Sequence, residues 1–314
     1  MTARPSVALI GAGAMGSNHA RTLALSQRCD FSVIVDRDAV RARAVAEMYG
    51  ATAATEVEAA LECDAIVVVT PTQAHIDVAA QILEAGKPAL VEKPLAATLA
   101  DTQRLLDIAE AKDVPLQCGF VERYNPAITT GFSLMDEAPI YVKAVRHSPP
   151  APRITTSVVS DLLIHDIDLA IRCAHSHQVE HLSGDQWKPA GTNIAETADC
   201  IVRFSDGMIA NLSSSRASQR KIRYFDIGLP HQLIQIDLLR RTISVYRHVR
   251  HEMGDSGNYR AETVVDIPFV QHSGEPLALQ LDHFLDVVEG KADHAAERAT
   301  ILAAHTVAFA VENL

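Results

Sequence analysis

The sequence has few of the residues that staple or anchor a chain. Its five cysteines (Cys29, Cys63, Cys118, Cys173 and Cys200) are an odd number, scattered along 314 residues, with no Cys-x-x-Cys pair. That spacing excludes a disulfide framework and leads us to expect buried thiols in a reducing compartment, hence a cytoplasmic protein. No run of about 18 apolar residues occurs, so no membrane-spanning helix and no membrane partner are expected. The first strand-like run begins at Ser6, too early for a charged-then-apolar secretory leader. Basic residues are short: 28 against 39 acidic ones, a net charge of −11, which argues against nucleic acid as a partner. No Gly-x-Ser-x-Gly elbow appears, which disfavours a serine hydrolase. His175, His177 and His181 follow Cys173 at spacings that fit no familiar zinc set, so no metal is expected.

What is present is apolar bulk. At 48% apolar residues, a chain of this length fills a sizeable core and suits roughly two domains. Residues 7–10, 31–35, 65–69 and 89–91 are short apolar runs, with 116–118 a fifth candidate, and they look like strands buried on both faces. Helical patterns lie between them, at 16–26, 39–49, 76–85 and 99–111, with Gly50 and Gly86 where left-handed caps are wanted. Strands alternating with helices imply a doubly wound parallel sheet. Beyond about Phe120 the rhythm changes. A proline-rich loop (Pro149, Pro150, Pro152) precedes a helical pattern from Val158 to about Ala174, and alternating segments follow, among them a hairpin turning at Asp206-Gly207. Two helices, 276–289 and 292–312, end the chain. We expect an α/β dinucleotide-binding domain over 1–121. Over 122–314 we expect an α+β domain on a large, mostly antiparallel open sheet, serving substrate binding and oligomerisation.

Gly11-Ala12-Gly13-Ala14-Met15-Gly16 directly follows the first strand and opens the first helix. The first glycine permits the turn, the second admits a pyrophosphate, and the third lets helix and strand pack. Asp36 ends the second strand twenty residues after Gly16, where a ribose-binding acid belongs. A carboxylate there repels a 2′-phosphate, which favours NAD over NADP, although the adjacent Arg37 could embrace such a phosphate. Thr70-Pro71-Thr72 with His75, and Glu92-Lys93-Pro94, end two further strands and turn toward the same crevice. A surface lysine after a strand is the plainer reading of Lys93 alone. On the helix from Val158, Asp161, His165, Asp168 and Arg172 are spaced four, three and four apart. A histidine held by an acid one turn away can accept a proton. A solvated face of ordinary ion pairs is the other reading. Residues 216–250 hold eight basic side chains against two acids, either a solvated sheet edge or a wall for an anionic substrate.

Taken together, Gly11–Gly16 followed by Ser17-Asn18-His19-Ala20, Thr70-Pro71-Thr72 with His75, Gly86-Lys87-Pro88 leading to Glu92-Lys93-Pro94, and Asp161-x-x-x-His165 with Asp168 carry a resemblance over essentially the full length. The chain resembles the glucose-fructose oxidoreductase, inositol dehydrogenase and MocA family of NAD(P)-dependent oxidoreductases. The resemblance implies a Rossmann domain, NAD, and catalytic roles for Lys93, Asp161 and His165. It also implies cofactor contacts from Gly11, Gly13, Ala14, Met15, Gly16, Asp36, Arg37, Thr70, Pro71, Thr72, His75, Glu92 and Lys93, and a homodimer or homotetramer. A narrower resemblance, to UDP-N-acetylglucosamine 3-dehydrogenases, rests on Val121–Pro126, the loop to Arg153, Asp161–Asp168, and Ser215-Arg216 through Lys221-Ile222-Arg223. It implies a nucleotide-sugar substrate met by Arg123, Tyr124, Arg153, Asp161 and His165. The chain departs from common family pattern at Ser157-Val158-Val159, where many members have Gly-Gly, and at Ile171-Arg172-Cys173, where many have Arg-Trp. The alternatives are an inositol or aminocyclitol dehydrogenase, a ketosugar reductase, and a catalytically silent NAD-binding sensor.

Overall fold

Short runs of Val, Ile, Leu and Ala with no polar alternation can be stable strands only where both faces are covered, and the first part of the chain covers them with helices. The computed structural model describes residues 4–150, 154, 156–253, 258–270 and 274–314. Here β1 (Ser6–Ile10), α1 (Ala14–Leu25), β2 (Asp30–Val35), α2 (Ala39–Tyr49), β3 (Thr52–Ala54), β4 (Ala65–Val68), α3 (His75–Glu84), β5 (Ala89–Val91), α4 (Leu99–Ala111) and β6 (Leu116–Cys118) alternate along the chain. They form a six-stranded sheet in the order β3-β2-β1-β4-β5-β6, with every pairing parallel. Strand order reverses between β1 and β4, and such a switch point opens a crevice at the carboxyl ends of the strands. The helices start and stop where local chemistry says they should. Asp38 caps α2 by accepting from the amides of Val40 and Arg41, Gly50 ends it in the left-handed region, and Thr98 caps α4.

A second unit contains α5 (Pro126–Ser133), β7 (Tyr141–His147), α6 (Ile164–Cys173), and β8 (Val179–Trp187), β9 (Thr197–Phe204), β10 (Ile209–Ser215), β11 (Ile222–Gly228), β12 (Gln232–Asp237), β13 (Thr242–Met253) and β14 (Asn258–Asp266). The sheet order is β14-β13-β12-β11-β7-β10-β9-β8; β7 and β10 pair in parallel and the other neighbours are antiparallel. Alternation sorts its two faces. On β7, Val142, Ala144 and Arg146 are buried while Tyr141 and Lys143 are exposed. Hairpin β9–β10 turns at Asp206-Gly207 as expected, with Gly207 at φ 91°.

The chain then returns through α7 (Pro276–Val288), α8 (His294–Ala299) and α9 (Ile301–Glu312). Residues 1–121 and 274–306 form one unit, and 122–273 with 307–314 form the other. The expected change at 121–122 is present, but residues 274–306, expected in the second domain, pack with the first. The reason is hydrophobic. Leu281, Phe284 and Leu285 of α7 enter the core that holds Val7, Leu9, Ile34 and Val67, each burial contributing roughly 1.5–3 kcal/mol. Arg28 fastens the same helix through Asp286 and Glu289, at 2.7 and 2.9 Å. The expected helix 292–312 is two helices, because α8 closes at Thr300 before α9 begins.

Candidate active site

The glycine turn after β1 is held by close contact and left open in one place. A Cβ on Gly11 (φ 106°) would lie 2.6 Å from the Val69 carbonyl oxygen, and one on Gly16 only 2.0 Å from the Gly11 carbonyl oxygen. At Gly13 a Cβ would meet nothing within 4 Å. Gly13 begins α1 with no side-chain cap and no acid in the first turn, where Ala14 and the half-exposed Met15 sit. The first amides of a helix have no partners within it, so this open face with outward N–H groups is chemistry for a phosphate. Asp36 ties the end of β2 to the turn: Oδ2 accepts from the amide of Ala12 at 2.8 Å, and Oδ1 from that of Asp38 at 2.9 Å. Arg37 is exposed beside it, and Arg41 pairs with Asp38 at 3.1 Å. At the end of β4 the buried Thr70 Oγ1 has no hydrogen-bond partner among the described residues. Turn, acid and hydroxyl fit a dinucleotide.

Glu92, Lys93 and Pro94 follow β5, and three buried histidines from three helices surround them. His19 of α1 places Nε2 2.8 Å from Glu92 Oε1, and Glu92 Oε2 accepts the backbone N–H of Lys93 at 3.2 Å. His305 of α9 accepts the N–H of Leu95 on Nε2 at 2.8 Å, while its Nδ1 lies 2.8 Å from the Ile301 carbonyl. His305 is therefore the tautomer with its proton on Nδ1. His75 of α3 lies 2.9 Å from the Pro94 carbonyl through Nδ1 and 2.9 Å from the Thr70 carbonyl through Nε2. Burial pushes His75 below its ordinary value, against the pull of those carbonyls, so its ring is neutral and donates to one of them at a time. Its position is thus that of a brace between the Thr70 and Pro94 backbones, with both ring nitrogens turned to protein and not to a cofactor. Pro71 and Thr72 lie on the short turn that opens α3. Lys93 itself is half-buried.

In the second unit, the helix expected from Val158 opens with a wide π-helical turn over Val159–Leu163 before α6. Such a turn is an unusual local feature, frequent at functional sites, and Asp161 and His165 lie on either side of its end. Three arginines meet three aspartates here. Arg216 donates to Asp161 at 3.2 Å, to Glu196 at 3.0 and 3.2 Å, and to the Thr156 carbonyl at 2.6 Å. Arg146 grips Asp166 at 2.9 and 2.7 Å and reaches Glu122 at 2.7 Å. Arg123 grips Asp168 at 2.8 and 2.5 Å. Asp161 keeps partial exposure, whereas Arg216, Arg146, Asp166, Arg123 and Asp168 are buried. Burial opposes the charge on Glu122, but Arg146 and the Asn125 amide outweigh it and hold the carboxyl below the usual range. Burial pushes Asp166 up, against the attraction of Arg146.

The expected stripe is therefore divided. Asp161 and His165 remain together on the helix, Asp168 is turned to Arg123, and Arg172 is exposed. Arg123, expected at the substrate, lies buried with its guanidinium on Asp168. Tyr124 is half-buried at the end of a short turn, and Arg153 lies outside the described residues. The basic stretch is not one wall. Arg216 is internal, Arg240 and Arg247 pair with Asp237 and Asp266, Arg223 is half-buried 3.6 Å from Glu122, and Arg220 and Lys221 are exposed. Sequence reading missed Glu122, Arg146, Asp166 and Glu196. A signal for one was available: Arg146 occupies an inward position of an alternating strand, where a charge needs a buried partner.

The chain is similar to known proteins over most of its length. Residues 6–120 match an oxidoreductase family with an NAD-binding Rossmann fold. The chain is 30% identical to the UDP-N-acetylglucosamine 3-dehydrogenase of Acidithiobacillus ferrooxidans, over 97% of this chain and 96% of that protein. A myo-inositol dehydrogenase of Streptomyces leeuwenhoekii is 31% identical over 67% of this chain and 70% of its own. The solved structure of the Acidithiobacillus ferrooxidans enzyme superposes with a TM-score of 0.84 at 28% identity, covering 99% of both chains.

Proposed function

Because the chain belongs to the oxidoreductase family with an NAD-binding Rossmann fold, we propose that it oxidises the 3-hydroxyl of UDP-N-acetylglucosamine to a ketone. The observation that carries this reading is the extent of the likeness. It runs through both units, over 97% and 96% of the two chains, and so spans α6 as well as the nucleotide turn.

NAD, when bound, accepts the hydride that leaves the sugar carbon. Gly13 and the first amides of α1 hold its pyrophosphate, Asp36 accepts hydrogen bonds from the adenosine ribose and repels a 2′-phosphate, and Thr70 Oγ1 gains a partner. His165 takes the proton of the hydroxyl group, and Asp161 keeps the imidazole oriented. The Lys93 ammonium steadies the oxygen as negative charge grows on it, which is worth about 3 kcal/mol of barrier. Arg123–Asp168 and Arg146–Asp166–Glu122 serve the helix frame. Arg220, Lys221 and Arg223 offer positive charge to the diphosphate. The reading includes a cytoplasmic location, in keeping with the five buried thiols. It also includes a homodimer or homotetramer through the sheet face that exposes Tyr141, Ile201 and Ile209.

Absorbance of reduced nicotinamide, followed with NAD and a panel of UDP-N-acetylglucosamine, other nucleotide sugars, inositols and free sugars, tests it. We expect a rise with UDP-N-acetylglucosamine, a product carrying a 3-ketone, and a KM that climbs with salt because the substrate is an anion. A rise with inositols alone, indifferent to salt, would overturn the nucleotide-sugar assignment in favour of the cyclitol reaction.

A further inference from the structure

Lys93 sits on an irregular stretch between β5 and α4, and a side chain on irregular backbone is only as well placed as that backbone. Of the three imidazoles around the stretch, His19 is the one whose hydrogen bonds lead to the Lys93 amide itself. Its Nε2 meets Glu92 Oε1 at 2.8 Å, and the other Glu92 oxygen accepts the Lys93 N–H at 3.2 Å. Gly119 makes room for this carboxylate, since a Cβ there would lie 2.7 Å from Glu92 Oε2. His19 and Glu92 are both buried, at 3% and 8% exposure, so water does not compete for these bonds. His19 lies three residues beyond Gly16, on the helix whose first amides face the phosphate position.

We propose that His19 is a positioning residue for Lys93, acting through Glu92 to fix the lysine's backbone amide and with it the reach of Nζ. This rests on the role given to Lys93 above. The bond of His19 Nε2 is to the Glu92 carboxylate, so in this proposal the histidine acts through that residue.

The test compares His19→Gln, whose amide nitrogen falls about where Nε2 stands, with His19→Asn, whose nitrogen falls short, and runs Lys93→Ala beside them. We expect kcat of His19→Gln within about threefold of the parent and that of His19→Asn at least about tenfold lower, as small misplacement of a reacting group produces. NADH affinity, read by fluorescence titration without turnover, should stay within about threefold in both, because the pyrophosphate turn is untouched. If His19→Asn does not fold, His19→Ala takes its place as the variant with no nitrogen in reach of the Glu92 carboxylate. Equal kcat in the long and short variants, with Lys93→Ala inactive, would overturn the proposal and leave the reading of Lys93 standing. NADH affinity falling in step with kcat would overturn it too, by making His19 a cofactor residue. Full turnover in Lys93→Ala would overturn both.

Discussion

In the first unit the buried polar side chains around the candidate site are imidazoles, and they bond to backbone carbonyls, to one amide and to one carboxylate. In the second unit they are guanidiniums, each facing carboxylates. The contrast follows from the sheets. A parallel sheet covered on both faces leaves irregular backbone at its strand ends, and an imidazole, with a nitrogen at each edge of the ring, reaches two such groups at once, as His75 and His305 do. The second sheet presents one inward face to a helix rich in acids, and acids taken out of water need cations. Backbone and side chains are thus held mainly by imidazoles bonded to backbone in the first unit and by paired charge in the second.

The sharpest way to break this comparison is to remove one charge. Arg146→Met leaves Asp166 buried without its cation and Glu122 with only the half-buried Arg223 at 3.6 Å, and should cost about 3–5 kcal/mol in urea unfolding. Replacing all three residues by apolar ones should cost much less, since no charge is stranded. Removing a neutral brace should cost less than removing Arg146. His75→Leu deprives the Thr70 and Pro94 carbonyls of one donor, for about 1–3 kcal/mol. Should His75→Leu prove more damaging than Arg146→Met, the distinction between the two interiors is lost.

Acid separates the two further, with the smallest effect of the series. His75 has a folded value lowered by burial, so its stabilising neutral form is fully present above the unfolded value of about 6.5 and is lost as pH falls below it. Glu122 has a folded value lowered by Arg146, so its contribution is complete above the unfolded value of about 4.3 and disappears only as pH falls further. Unfolding curves of His75→Leu and Glu122→Gln against the parent should therefore converge in two different pH windows, the histidine pair at the higher pH. Convergence in a single window would show one shared acid transition.

Legibility from sequence divides along a related line. The helices with local caps, such as α2 between Asp38 and Gly50, could be read, and so could the strands with continuous apolar runs. β3, only Thr-Ala-Ala, and β8, exposed along most of its length, carry no such pattern because their neighbours define them. The Asn125–Pro126 start of α5 was a usable cap signal that its β-branched Ile128, Thr129 and Thr130 obscured. Periodicity shows that α7 has an apolar face but not which sheet receives it. The nucleotide turn was legible because its parts are neighbours in the chain. The arginine partners were not, since Arg146–Asp166, Arg123–Asp168 and Arg216–Asp161 lie 20, 45 and 55 residues apart and only the fold joins them.

The three glycines of the turn answer to different masters. Gly11 and Gly16 are demanded by the chain, because any Cβ there strikes backbone, whereas Gly13 is demanded only by what lies outside it. A lineage that stopped using the dinucleotide would be free to change Gly13 while keeping its neighbours, and would go on folding. Among descendants of such a gene, a substituted Gly13 between intact Gly11 and Gly16 is the mark of a protein that has kept its architecture and abandoned its coenzyme.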